Sequence, residues 1–210
     1  GFKFLEDYPK SVTFFGGNQF REDDPYYRDA RKLASSVVKE LGYSVLSGGG
    51  PGIMEAANQG AFEAGGDSLG LTIELSHHQI QNPYLTKNLD FYYFFSRKVS
   101  LAFSAEAYVF FPGGYGTFDE FFEILTLVQT KKVESVPIIL VGSDFWNPLD
   151  ALIKKEMLSR GTVDPGDLSL YKITDDESEI IDTIRNAPVR IGIKFTHKNL
   201  ESSGISIENN

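Results

Sequence analysis

Three short stretches of the chain carry residues that could do chemistry together. The stretch Pro112-Gly113-Gly114-Tyr115-Gly116-Thr117-Phe118-Asp119-Glu120 combines three glycines with a carboxylate. A second glycine loop, Ser47-Gly48-Gly49-Gly50-Pro51-Gly52, is followed by Ile53-Met54-Glu55. A basic pair, Arg97-Lys98, lies between them in an otherwise acidic chain. Glycine lets a backbone come close to a ligand because no Cβ stands in the way. Where such a turn opens a helix, free N–H groups make an anion site, and a phosphate fits it. The fork of an arginine suits bidentate phosphate contact. A fixed carboxylate beside a phosphate ester can stabilise or attack a positively charged transition state.

Each stretch also has a plain structural explanation. The glycine loops could be tight strand-to-helix turns. Neither is a P-loop, since no Gly-Lys-Ser/Thr follows, and neither is the G-x-G-x-x-G of a first βαβ unit. Thr117 and Glu120 have the spacing of a capping box, in which the Thr caps a helix and the Glu bonds back. Asp119 and Glu55 read as partners of a helix dipole, and Glu123 lies one turn beyond Glu120 on the same face. Arg97 and Lys98 alone would be a solvated pair. His77 and His78 lack a third ligand at metal-binding spacing, so no metal is expected. There is no G-x-S-x-G elbow. Two loops that each open a helix favour an anion site.

The elements around these stretches follow from periodicity. Residues 1–10 read as a short mobile lead-in. Ser11–Phe15 is a strand closed by Gly16-Gly17-Asn18, and Tyr26–Leu41 is a helix ended by Gly42. Tyr43–Leu46 is a strand that opens onto the first glycine loop, with Ile53–Ala64 the helix beyond it and Pro51 near its start. Ser68–Ile73 is a third strand, and Glu74–Leu89 has no period and reads as a long loop. Asp90–Phe95 is an aromatic strand followed by a short helix, Arg97–Ser104. Ala107–Phe111 is a buried strand, and Phe118, Phe121, Phe122, Leu125 and Val128 mark the helix after the second loop. Val136–Val141 (strand), Pro148–Ser159 (helix), Leu170–Thr174 (strand) and Glu177–Arg185 (helix) complete the chain, and the polar tail from Pro188 is expected to be flexible. Alternating strands and helices imply one α/β domain, a doubly wound, mostly parallel sheet with helices on both faces. Ligands of such sheets bind at the carboxyl ends of the strands, where both glycine loops lie.

Composition narrows the partners. The 210 residues suit one domain with a sizeable core. A net charge of −9 argues against a nucleic-acid polymer, whose binders present a basic face, but not against a mononucleotide. The absence of cysteine excludes disulfides, thiolate zinc sites and cysteine nucleophiles. No apolar run approaches the roughly 18 residues of a membrane span, so no membrane partner is expected. A cytoplasmic protein is the expectation.

Taken together, the stretches Ser47 to Ala57, Phe95 to Lys98 and Pro112 to Glu120 resemble the LOG family. These are the "Lonely Guy" cytokinin-activating phosphoribohydrolases and their bacterial relatives, long labelled lysine decarboxylases. Pro112 to Glu120 fits the family pattern P-G-G-x-G-T-x-x-E, with the Arg-Lys pair a short helix upstream. Asn82-Pro83-Tyr84 and Leu125 to Thr130 look like the bacterial branch. The resemblance spans about Ser11 to Thr183. It implies hydrolysis of the N-glycosidic bond of a nucleoside 5′-monophosphate, without metal or other cofactor, to free base and ribose 5-phosphate. It implies Arg97 and Glu120 as the catalytic pair. It implies Lys98, Gly113, Gly114, Tyr115, Gly116, Thr117, Thr126, Gly48, Gly49, Gly50 and Met54 around the nucleotide, and a homodimer with sites near the interface. One departure is His78, where many relatives carry a glutamate; another is Ser100-Leu101, where relatives often have a more apolar pair. AMP or an N6-modified AMP is the expected substrate. A nucleotide-binding or molybdenum-cofactor carrier protein of the same fold is the alternative, and the joint presence of Arg97 and Glu120 favours the enzyme. The lysine decarboxylase label is rejected, because Lys98 is a poor Schiff-base lysine.

Overall fold

The computed structural model describes residues 1–73 and 81–189. Seven parallel strands form one sheet: β1 (Ser11–Phe15), β2 (Ser44–Ser47), β3 (Ser68–Ile73), β4 (Lys87–Phe91), β5 (Ala107–Phe110), β6 (Ile138–Leu140) and β7 (Lys172–Ile173). Their order in space is β4-β3-β2-β1-β5-β6-β7. The chain runs outward from β1 to one edge, then returns to the other side of β1. The β1/β5 boundary is therefore the switch point, where a crevice opens between diverging loops. Register sharpens this: Phe15 stands opposite Phe110, so the loops after the two strands begin side by side.

The inner strands are mostly apolar and almost wholly buried because both faces are covered. Phe15, Leu46, Tyr108 and Phe110 pack on one face, with Phe121 and Trp146. Val12, Phe14, Val45, Ala107 and Val109 pack on the other, with Ala30, Leu33 and Ile53. Side chains thus alternate between two cores along each strand. The helices are α1 (Phe2–Glu6), α2 (Pro25–Ser36), α3 (Ile53–Glu63), α4 (Phe94–Ala102), α5 (Tyr115–Gln129), α6 (Ser143–Leu152) and α7 (Glu177–Arg185). Two wider π-type segments, Val37–Leu41 and Ile153–Leu158, extend α2 and α6.

Several elements differ from the sequence reading. The lead-in is helical, and its Leu5 and Tyr8 are buried against the sheet core. The aromatic strand lies three residues earlier: Lys87–Phe91 pairs with β3, and Tyr92 to Phe95 turn into α4 instead. This edge strand is mostly exposed and polar, so it carries no apolar period. Of the long loop read over Glu74–Leu89, residues 74–80 lie outside the described residues, and its end is strand. Helix α6 starts five residues early and contains Pro148, because Asp175 accepts the backbone N–H groups of Gly142 and Ser143 at its start. That carboxylate comes from 33 residues away, beyond the reach of local pattern. Pro51 precedes Gly52, the N-cap of α3, and does not occupy the first helical position.

Candidate active site

The loops at the switch point are interlocked through one residue, Gly17. The Gly17 N–H donates to the Pro112 carbonyl at 2.9 Å, and the Gly17 carbonyl accepts from Ile53 N–H, the first of α3, at 3.1 Å. Gly52 makes this possible: its φ is +75°, and a Cβ there would overlap the Gly17 carbonyl oxygen. The loop after β1 therefore braces both glycine loops, although the sequence marked it only as a turn.

A cleft of about 450 Å³ opens between the three loops. Of the expected residues it is lined by Gly48, Met54, Arg97, Gly114, Tyr115, Gly116, Thr117 and Glu120. It also holds residues the sequence reading missed, among them Gly17, Asn18, Ile73, Phe94 and Leu101. Ile73 and Phe94 read as strand residues in sequence, and only the topology turns them toward the site. Gly49, Gly50, Gly113, Lys98 and Thr126 are not among the lining residues. Gly49 and Gly50 are buried behind the cleft, and Thr126 is exposed three turns along α5.

Arg97 reaches the site from the first turn of α4. Its Nε donates to the Leu71 carbonyl at 2.7 Å and its Nη2 to the Gly48 carbonyl at 3.3 Å. A side chain on Gly48 would overlap that Nη2 and press on the Met54 sulfur. Burial pushes the Arg97 guanidinium below its usual range, while the Glu120 charge pulls the other way. Arg97 is not in ion-pair contact with Glu120 among the described residues.

Glu120 is not part of a capping box. Helix α5 begins at Tyr115 with Gly114 as its N-cap and no side-chain cap bond, three residues before the start a Thr117 cap would give. Thr117 is consequently buried inside the first turn, and Glu120 lies beyond it, on the helix wall of the cleft. Its Oε2 is buried and makes no hydrogen bond among the described residues. Burial, reinforced by the nearby Glu123, raises the Glu120 carboxyl to about 7, against the pull of Lys98 and Arg97. A buried carboxyl oxygen without a partner is costly, and such groups gather where function needs them.

Lys98 is held by two carboxylates and is not among the described residues that line the cleft. Its Nζ lies 2.8 Å from Asp119 Oδ2 and 3.2 Å from Glu123 Oε2. Asp119 is thus an ion-pair partner, and the first turn of α5 holds no acid. Glu55 does occupy the first turn of α3, as its spacing indicated. His77 and His78 lie outside the described residues.

Residues 54–184 match the family described as "Possible lysine decarboxylase". The chain belongs to this family, the Lonely Guy family. A cytokinin riboside 5′-monophosphate phosphoribohydrolase of Rhodococcoides fascians is 25% identical over 185 residues, covering 85% of this chain and 90% of that one. One of the Arabidopsis thaliana proteins with the same name is 26% identical, covering 88% and 81%. Among solved structures, the molybdenum cofactor binding protein of Rippkaea orientalis has a TM-score of 0.60 at 21% identity, covering 84% of this chain and 95% of that one. The molybdenum cofactor carrier protein of Chlamydomonas reinhardtii has a TM-score of 0.59 at 20% identity, covering 85% and 97%. These two share the α/β fold of the Lonely Guy family. No lysine is among the described residues lining the cleft. Among the described residues no helix is long and apolar enough to cross a membrane.

Proposed function

We propose that this protein hydrolyses the N-glycosidic bond of a nucleoside 5′-monophosphate, AMP or an N6-modified AMP. The products are the free base and ribose 5-phosphate. The observation that carries this reading is the unbonded, buried oxygen of Glu120 in a cleft that also holds Arg97 and a bare helix N-terminus. In the reaction a water oxygen bonds to C1′ and the C1′–N bond breaks. Its electron pair leaves with the base, which takes up a proton. Positive charge grows on the ribose, and an ionised Glu120 opposes it or assists the attack. The N–H groups at the start of α5 suit the phosphate, and Arg97 suits the phosphate or the departing base.

A binding or carrier protein of the same fold is the competing reading. The carboxylate argues against it, because a site that only holds a phosphate loses affinity from a negative group alongside. A homodimer belongs to the same proposal. Its support is the exposed aromatic run Tyr92 to Phe95, with Phe94 also in the cleft. A cytoplasmic location belongs to it too.

The test is a chromatographic assay of purified protein with AMP and with N6-isopentenyl-AMP, following free base and ribose 5-phosphate. Release that is lost in Glu120→Gln and greatly weakened in Arg97→Ala is the expected result. No release from either nucleotide, with a thermal shift on adding it, would establish the binding protein instead.

A further inference from the structure

The segment Asn82-Pro83-Tyr84 takes no direct part in the cleft, yet it is built into the loop that holds Arg97. The Asn82 backbone N–H donates to the Gly49 carbonyl at 2.9 Å. Its side-chain Nδ2 donates to the Gly50 carbonyl at 3.1 Å and to Asn58 Oδ1 at 2.9 Å. Its Oδ1 accepts from the Tyr84 N–H at 3.1 Å. Asn58, fully buried on α3, also accepts from Ser47 Oγ at 2.6 Å, and Ser47 Oγ accepts from the Gly49 N–H at 2.9 Å. Asn58 Nδ2 closes the network on Ser68 Oγ at 2.9 Å and the Leu69 carbonyl at 3.2 Å.

The carbonyls of the first glycine loop are therefore shared out. Gly49 and Gly50 are held by Asn82, and Gly48 faces the Arg97 guanidinium. A glycine run has wide backbone freedom and needs outside bonds to keep one pose. A buried amide network in which every member is bonded supplies that rigidity. We propose that Asn82 is a positioning residue for Arg97: it fixes the Gly48–Gly50 loop so that the Gly48 carbonyl sets the direction of the guanidinium. The kinetic part of the test rests on the phosphoribohydrolase reading, and the spectroscopic part does not.

The spectroscopic part uses the ¹⁵N–¹H signal of Arg97 Nε–H, identified by its disappearance in Arg97→Lys. In ligand-free Asn82→Ala this signal is expected to shift or broaden while the protein stays folded. Asn82→Ser is read alongside it, as the milder change. An unmoved Arg97 signal in folded variants overturns the proposal, whether or not the protein is an enzyme. In the kinetic part, Asn82→Ala lowers kcat/KM for the nucleotide about tenfold to a hundredfold. In an Arg97→Ala background the same change has little further effect, because the two residues act in series. An equal loss in both backgrounds overturns the proposal. If the unaltered protein releases no base, the phosphoribohydrolase reading fails and the spectroscopic part still decides this one.

Discussion

The two glycine loops look alike in sequence and are opposites in the structure. Gly48 to Gly50 is buried, and its carbonyls are bonded to Asn82 and Arg97. Gly114 to Gly116 is exposed, opens α5 without a side-chain cap, and leads to a carboxyl oxygen with no partner among the described residues. The first loop is a rigid support that presents Arg97. The second is an exposed helix start that lines the cleft together with Glu120. Glycine serves close packing in one and ligand approach in the other, and only the surroundings tell these uses apart.

The largest effect should come from the second loop's carboxylate. Glu120→Gln keeps the size of the side chain and removes its charge. We expect kcat for base release to fall at least about a thousandfold, with the circular dichroism spectrum unchanged. Turnover within tenfold of the unaltered protein would remove Glu120 from the chemistry.

Alanine at one glycine of each loop then separates support from surface. At Gly48 the atoms nearest the new methyl belong to two side chains, Arg97 and Met54, so the backbone can stay while the guanidinium is displaced. Gly48→Ala should lower kcat/KM about a hundredfold with little change in Tm. At Gly116 an added Cβ meets nothing within 4 Å. Gly116→Ala should raise stability by about 0.5–1 kcal/mol, as alanine does inside a helix, while KM rises because the methyl stands in the cleft. Equal kinetic losses without the stability gain at Gly116 would erase the distinction between the loops.

Much of this arrangement is legible in sequence, for a physical reason. Buried parallel strands are continuous apolar runs, so Ser11–Phe15, Ser68–Ile73 and Ala107–Phe110 stand out, and glycines at their carboxyl ends mark the crevice. Arg97 and Glu120 were legible by their company. What was hidden depends on distant partners. The edge strand Lys87–Phe91 has a polar surface and is defined by pairing alone. The true start of α5 moved Thr117 and Glu120 out of a capping box, since two exposed glycines can begin a helix as readily as a threonine can cap one. The ion pairs of Lys98 with Asp119 and Glu123, one helix away, are likewise set by tertiary packing. The brace at Gly17 leaves no trace in its own neighbours.

The unpartnered carboxyl should also be visible in stability. Its value of about 7 in the folded protein exceeds the ordinary 4.5, so the folded state binds the proton more tightly than the unfolded chain. Stability from this group is therefore fully present below about pH 4.5 and is lost as pH rises through 7. Glu120→Gln removes that loss. It should be more stable than the unaltered protein above pH 7, on the order of 2 kcal/mol, with the difference shrinking toward pH 5. Denaturation at several pH values measures this. Parallel curves for the two proteins would mean that Glu120 titrates normally.

The smallest effect concerns Lys98, which stands outside the cleft and still acts on it through charge. Lys98 lowers the Glu120 carboxyl, while Glu123 and Asp119 raise it. Replacing Lys98 by Met keeps an unbranched side chain but leaves Asp119 and Glu123 without their counter-charge. Both carboxylates then act on Glu120 with only Arg97 opposing them, and its titration should move upward. If the ionised form is the active one, the rising limb of the pH–rate profile shifts to higher pH in Lys98→Met. The plateau rate changes little, because no substrate contact is lost. A fall in rate at every pH with no displaced limb would instead make Lys98 a direct substrate contact, and the cleft would have to extend to the outer face of α5.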